Sequence, residues 1–337
     1  MFPKRVVSSF RNTQYTAQYR GFVLVNQVVA PSKVTVVVPT YGHEQFIAQC
    51  LDSLLNQSQH PAEIIVINDG SPDRTDEVIA PYLPFIRYYP QSNHGLAATL
   101  NRGLSMVESD YVMFLGSDDW LCPTALEDLA QILDAHPDVG VVHANRWKVD
   151  QHGAELENRD IPWHGRYDAM PSLSERNYIY SPAIMLRIRA RSNVGFIPDF
   201  PYCRDWAAFM ILALQGWKFY GMAQPLGYYR RHANNTTHAR HSNAILEDEL
   251  AMLQWILQRQ DVPPTIRATI VQNIALRLRS LGWLSLESGD KAVARNTFIR
   301  MLHLGNRDWN TLLGLVASHS PHFLYESLQH VKQHVSR

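Results

Sequence analysis

From residue 33 onward, short apolar runs alternate with longer segments whose apolar positions recur every three or four residues. The stretch 34–38 (VTVVV) has no polar face, as expected of a parallel strand covered on both sides. In 44–56, Phe46/Ile47, Cys50/Leu51 and Leu54/Leu55 form a helical stripe. Further strands are expected at 63–68 (EIIVIN), 86–89, 111–115 (YVMFL) and 139–144 (VGVVHA). Helices are expected at 72–80 and 95–106. Another follows Pro123, a residue suited to the first helical position, with Leu126, Leu129 and Leu133 as its buried face. This alternation predicts an α/β fold, a parallel sheet with helices on both faces.

The periodicity loosens between 146 and 191, where Trp, Tyr, Pro and His are frequent. A helix is expected from Asp205 to about Gln215, then strands near 217–221 and 226–230. Beyond 242 the pattern is helical, at 244–259, 265–281 and 291–304, which makes a C-terminal helical appendage.

Composition narrows the function classes. The chain has 337 residues, 46% apolar and 18% charged, enough for a sizeable core and too apolar for a disordered polymer. Lys+Arg and Asp+Glu are both 31, so no net positive field favours nucleic acid as a partner. Cys50, Cys122 and Cys203 are odd in number and far apart, which argues against a disulfide framework or a cysteine zinc site. No run approaches the length of a membrane span, and the N-terminus makes a poor signal peptide, so a soluble cytoplasmic protein is expected.

In open α/β sheets ligands bind beyond the carboxyl ends of the strands. The exits here carry Pro39-Thr40-Tyr41, Asn68-Asp69-Gly70-Ser71 and Gly116-Ser117-Asp118-Asp119. Asp69 is read most plainly as a turn residue, or else as an acceptor for the N–H of a uracil, thymine or guanine base. Adjacent carboxylates at Asp118 and Asp119 repel each other, and a hard divalent ion would relieve that; the plainer reading is helix capping before Pro123. Asp205 opens a helix, usually a capping position. Arg230, Arg231 and His232 follow a strand and suit a diphosphate, or simply form a solvated basic loop.

Taken together, VTVVVPTYGHEQFIAQCLDSLLNQ, EIIVINDGSPDRT, NHGLAATLNRGL, DYVMFLGSDDWLCP, RDWAAFMILALQGWKF and PLGYYRRHANN resemble, in order, glycosyltransferase family 2, the inverting transferases of the GT-A fold. The resemblance covers about 33–240. It implies a GT-A, Rossmann-like, mostly parallel mixed sheet flanked by helices. It divides the chain into an N-terminal extension (1–32), a transferase domain (33–145 for the nucleotide, 146–240 for the acceptor) and the C-terminal helical region (241–337). It also implies a nucleotide-diphosphate sugar donor, UDP- or dTDP-linked by the weak preference of Asp69, a glycan or lipid-linked acceptor, and Mn2+ or Mg2+.

By the same resemblance Pro39, Thr40, Tyr41, Asp69, Asn101, Arg102, Ser117, Asp118 and Arg231 lie at the nucleotide, Asp118, Asp119 and His232 at the metal, and Asp205 acts as catalytic base. Two positions depart from the family pattern. Gly116 stands where the acidic motif often begins with Asp, and Arg204 stands where Glu commonly precedes the base; Arg204 is expected to make Asp205 more acidic. A metal-dependent nucleotidyltransferase and a catalytically impaired nucleotide-sugar-binding protein of the same fold stay open as alternatives. Lys4, Arg5, Arg11, Arg20 and Lys33 leave peripheral contact with the inner face of a membrane open, although a solvated segment accounts for so few charges. Association of copies through the C-terminal helices also stays open.

Overall fold

The computed structural model describes residues 32–156, 165–179, 182–191, 195–233, 235, 242–303 and 305–319. The N-terminal cations other than Lys33 lie outside them. The apolar run after Ser32 becomes β1 (Val34–Thr40), buried along its whole length. It is followed by α1 (Ile47–Leu55), β2 (Glu63–Asn68), α2 (Thr75–Ile79), β3 (Arg87–Pro90), α3 (Leu96–Ser105) and β4 (Tyr111–Phe114). Then come β5 (Trp120–Leu121), α4 (Ala125–Ala135), β6 (Val139–Val149), β7 (Gly165–Tyr167), α5 (Met170–Glu175), β8 (Ile184–Arg187), α6 (Arg204–Leu214) and β9 (Lys218–Arg230). Four helices close the described chain: α7 (Ser242–Leu257), α8 (Pro264–Glu287), α9 (Lys291–His303) and α10 (Trp309–His319).

The strands form one sheet in the order β3-β2-β1-β4-β8-β6-β9-β5, with β7 on β9. The pairs among β1 to β4 are parallel, and β8 enters antiparallel between β4 and β6. Alternation along β1 divides the core. Val34, Val36 and Val38 join α1 and α4 on one face, while Val37 joins the cluster on the other face that continues through α6 into α7–α10. On that second face Gly103 of α3 lets the helix approach closely, since a Cβ there would sit 2.3 Å from Val37 Cγ1.

Three features differ from the sequence expectation. β8 and α5 lie in the stretch that showed no periodicity; four and six residues are too short to establish one. The strands expected at 217–221 and 226–230 are a single strand, β9, whose pairing with β6 shifts register between Ala144 and Arg146. That irregularity at Pro225, which has no N–H for the ladder, breaks the alternation on which the expectation rested. The helix α10 was not foreseen as a separate element.

Candidate active site

The exits of β1, β2 and β4, the start of α3 and the start of α6 surround one cavity of about 580 Å³. Its wall includes Pro39, Thr40, Tyr41, Asp69, Ser117, Asp118, Asp119 and Asp205 from the expected set. Asp69, Asp118 and Asp205, far apart in the chain, therefore share one cleft. Asn101, Arg102, Arg231 and His232 are not part of this wall.

Asp69 is 4% exposed and accepts three hydrogen bonds. Its Oδ1 takes the N–H of His94 (2.8 Å) and Nε2–H of Gln91 (2.7 Å), and its Oδ2 takes the N–H of Gly95 (2.9 Å). The carboxylate thus pins the loop leading into α3 to the exit of β2. Arg102 donates to Gln91 Oε1 and lies over the Tyr89 ring, so it acts on Asp69 through Gln91. Asn101 also acts at one remove. Its amide donates to the Phe196 carbonyl and accepts the Phe196 N–H, both at 2.7 Å, which holds Phe196 in the cavity wall. Neighbouring Thr40 carries a buried hydroxyl oxygen with no hydrogen-bond partner among the described residues.

The adjacent carboxylates of the acidic motif have different fates. Asp119 Oδ1 accepts the backbone N–H of Arg230 (2.8 Å), and burial with the neighbouring Asp118 charge pushes its carboxyl well above the usual carboxylate range. Asp118 Oδ2 instead faces His232 Nε2 at 3.0 Å and takes a longer contact from Asn235 Nδ2 at 3.3 Å. Burial alone would raise Asp118, but the His232 hydrogen bond and the charges of His43 and His232 hold it below its ordinary value.

His43, two residues beyond Tyr41, completes the group. Its Nδ1 lies 2.7 Å from Ser117 Oγ, and candidate ligand atoms of His43, Asp118 and His232 all fall within 4.8 Å of one another. Asp119, expected as a metal ligand, stands outside this cluster. His43 was missed in the sequence, although its place at the β1 exit was a usable signal.

Arg230, rather than Arg231, knits this end of the site together. It donates Nε–H to the Asp118 carbonyl (2.9 Å) and Nη2–H to Gln49 Oε1 (2.6 Å), between the rings of Phe46 and Trp120. Arg231 lies beside Tyr229, whose side chain is in the cavity wall.

At the other end Asp205 Oδ2 accepts Nδ2–H of Asn177 at 3.2 Å. Its carboxyl is raised by burial, while the Arg204 charge and the Asn177 hydrogen bond pull the other way without overcoming it. Arg204 thus acts in the expected direction, toward a more acidic Asp205, but desolvation is larger and the net shift is upward.

Comparison with known proteins bears on the part of the cleft that holds Asp69 and Asp118. Residues 35–192 match the family model described as "Glycosyl transferase family 2". These residues are a glycosyl transferase family 2 domain. This family 2 domain is 36% identical over 118 residues to "Glycosyltransferase GlyA" of Streptococcus pneumoniae, a match covering 34% of this chain and 17% of that protein. Across the first curated relatives the matches span only 17% to 41% of their length. The structure resembles Staphylococcus aureus TarS, solved with UDP-GlcNAc, at a TM-score of 0.62 and 17% identity, over 80% of this chain and 81% of that one. It also resembles the mannosyltransferase PcManGT from Pyrobaculum calidifontis, solved with GDP-Man and Mn2+, at a TM-score of 0.52 and 16% identity, over 88% and 90%. At such identities the likeness is one of fold, and it places the family 2 domain on the GT-A architecture. No helix among the described residues is long and apolar enough to cross a membrane.

Proposed function

We propose that this chain is an inverting glycosyltransferase that moves a sugar from a nucleoside diphosphate sugar to a hydroxyl of a glycan or lipid-linked acceptor. The observation that carries this reading is the single cavity lined by Asp69, Asp118 and Asp205. The orphaned Thr40 hydroxyl, beside Asp69 in the same wall, offers a hydrogen bond to a base or ribose. The two fold neighbours named above were each solved with a nucleoside diphosphate sugar, which supports that donor class.

The residues fit a divalent cation. His43, Asp118 and His232 would hold it, and two imidazoles with one carboxylate suit a first-row ion such as Mn2+ better than Mg2+. Bound there, such an ion supplies positive charge to the departing diphosphate. Ser117 and Asn235 orient the ligand side chains through His43 and Asp118.

Asp205 accepts the proton of the acceptor hydroxyl as that oxygen attacks the anomeric carbon. The nucleoside diphosphate leaves from the opposite face, and configuration inverts without a covalent enzyme intermediate. The raised carboxyl of Asp205 is a stronger base than an exposed aspartate, which brings it nearer the pKa best suited to neutral pH. Asn177 orients the carboxylate.

The test is a panel of UDP-, dTDP- and GDP-linked sugars, scored for thermal protection and donor hydrolysis with Mn2+ or with EDTA. Protection by at least one donor that EDTA removes supports the reading. No protection by any donor at millimolar concentration overturns it.

A further inference from the structure

Arg204 opens α6 immediately before Asp205, and the structure gives it an unusual setting. It is the sole arginine or lysine among the described residues lining the cavity. Its guanidinium has no hydrogen bond and no ion pair among the described residues, whereas Arg187 and Arg230, also in the interior, each hold several acceptors. The nearest acids do not satisfy it. Asp205 takes the Asn177 amide, and Asp248 is committed to the backbone N–H groups of Tyr202 and Cys203, both at 2.8 Å. Burial depresses the guanidinium despite the attraction of both acids. A half-buried cation with five donors and no acceptor is costly unless something that enters the cavity supplies one.

We propose that Arg204 is a specificity residue that binds an oxyanion carried by the acceptor, a carboxylate or a phosphate ester close to the attacking hydroxyl. The inference rests on the transfer reading above and deepens it. Arg204 immediately precedes the proposed base, whereas the proposed cation ligands sit at the β1, β4 and β9 exits, so its charge serves the acceptor rather than the diphosphate. Two carboxylates at 204 and 205 would repel an anionic acceptor. Arg204 cancels the charge of Asp205 and offers the planar fork that matches carboxylate and phosphate oxygens. The apolar wall contributed by Ile179, Ile184, Leu186 and Phe209 strengthens such a pairing by excluding water.

The experiment titrates acceptor probes into the full chain saturated with UDP and Mn2+. The probes are methyl glucuronide against methyl glucoside, and glycerol 1-phosphate against glycerol. The anionic member of at least one pair should bind about tenfold or more tightly than its neutral partner, the scale of one charge-assisted hydrogen-bonded pair. The preferred pair identifies the anion as carboxylate or phosphate. Arg204→Gln should erase the preference, Arg204→Lys should keep part of it, and Arg204→Glu should reverse it. Equal binding of charged and neutral probes overturns the proposal, as does a preference that survives in Arg204→Gln. Affinity for UDP, dTDP and GDP, measured first on the same samples so that the tightest of the three can take the place of UDP, separates the two readings: binding of none of them overturns the transferase reading, while nucleotide binding without anion preference overturns only this one. Melting temperatures confirm that the variants are folded.

Discussion

Gly116→Ala is the sharpest probe of the proposed cation site because its effect follows from one distance. A Cβ built on Gly116 would lie 2.8 Å from Asp118 Oδ1, about 0.6 Å inside the 3.4 Å of ordinary contact. The clash falls on a side chain, so the backbone survives and the Asp118 carboxylate must rotate away. That carboxylate is placed by His232 at 3.0 Å and Asn235 at 3.3 Å. Ligand positions in metal sites tolerate only about 0.2 Å of error, so a displacement of this size costs the ligand its place. Disturbing groups that orient a ligand typically weakens metal binding about 10–100-fold, or about 1.4–2.7 kcal/mol. Calorimetric titration of Mn2+ into the protein with UDP should show that loss, with the melting temperature of the metal-free variant nearly unchanged. Unaltered Mn2+ affinity would refute the argument that Asp118 is a ligand in the geometry seen here. The same distance explains why glycine suits position 116: this rotamer of Asp118 occupies the space that a side chain there would need.

Asp205→Asn should keep donor binding and lower transfer by at least about 100-fold, the low end for a lost general base; transfer within tenfold of the parent would remove Asp205 from that role. The same variant should melt higher at neutral pH. The folded state raises the Asp205 carboxyl, so its ionised form destabilises the fold above that pKa, and the advantage of Asn should fade as pH falls. Transfer by the parent should fall on the acid side through a pKa above the ordinary carboxylate value, and Asn177→Ala, which removes a hydrogen bond favouring the ionised form, should move that limb to higher pH. An unmoved limb would show that another group controls it. In the helical region Gly314→Ala sets a Cβ 2.2 Å from Phe298 Cζ. Urea unfolding should report a net loss of about 1–3 kcal/mol from overpacking, and a gain in stability would show that the α9–α10 contact is looser than described.

The first half of the fold was legible because its strands are buried on both faces and separated by helices with clear stripes. Both signals are local. The antiparallel insertion of β8 was not legible, since its neighbours β4 and β6 lie far away in sequence and its four residues carry no period. That Arg230 is the buried arginine of this pair was not legible either, for a related reason. Adjacent residues on a strand point to opposite faces, so the register decides which arginine turns inward. The register of β9 is shifted where it passes Asn145, and counting from the start of the strand therefore gives no answer. His43 could have been suspected from its place at a strand exit, but its meeting with His232 depends on the far end of β9.

The acidic residues show why motif matching and chemistry are separate questions. Four aspartates line one cavity, and each is accommodated differently. Asp69 is satisfied by three donors from the loop it organises, and Asp119 receives the N–H that fixes the end of β9. Asp118 meets imidazoles, which can give way to a cation, and Asp205 meets one amide with an unpaired arginine nearby. Where a carboxylate is held by backbone N–H groups, moving it costs the fold; where it faces exchangeable side chains, a ligand can compete for it. By that criterion Asp118 and Asp205 are the two positions at which bound substrate would change the electrostatics. Arg204, beside one of them, then determines which acceptors that change favours.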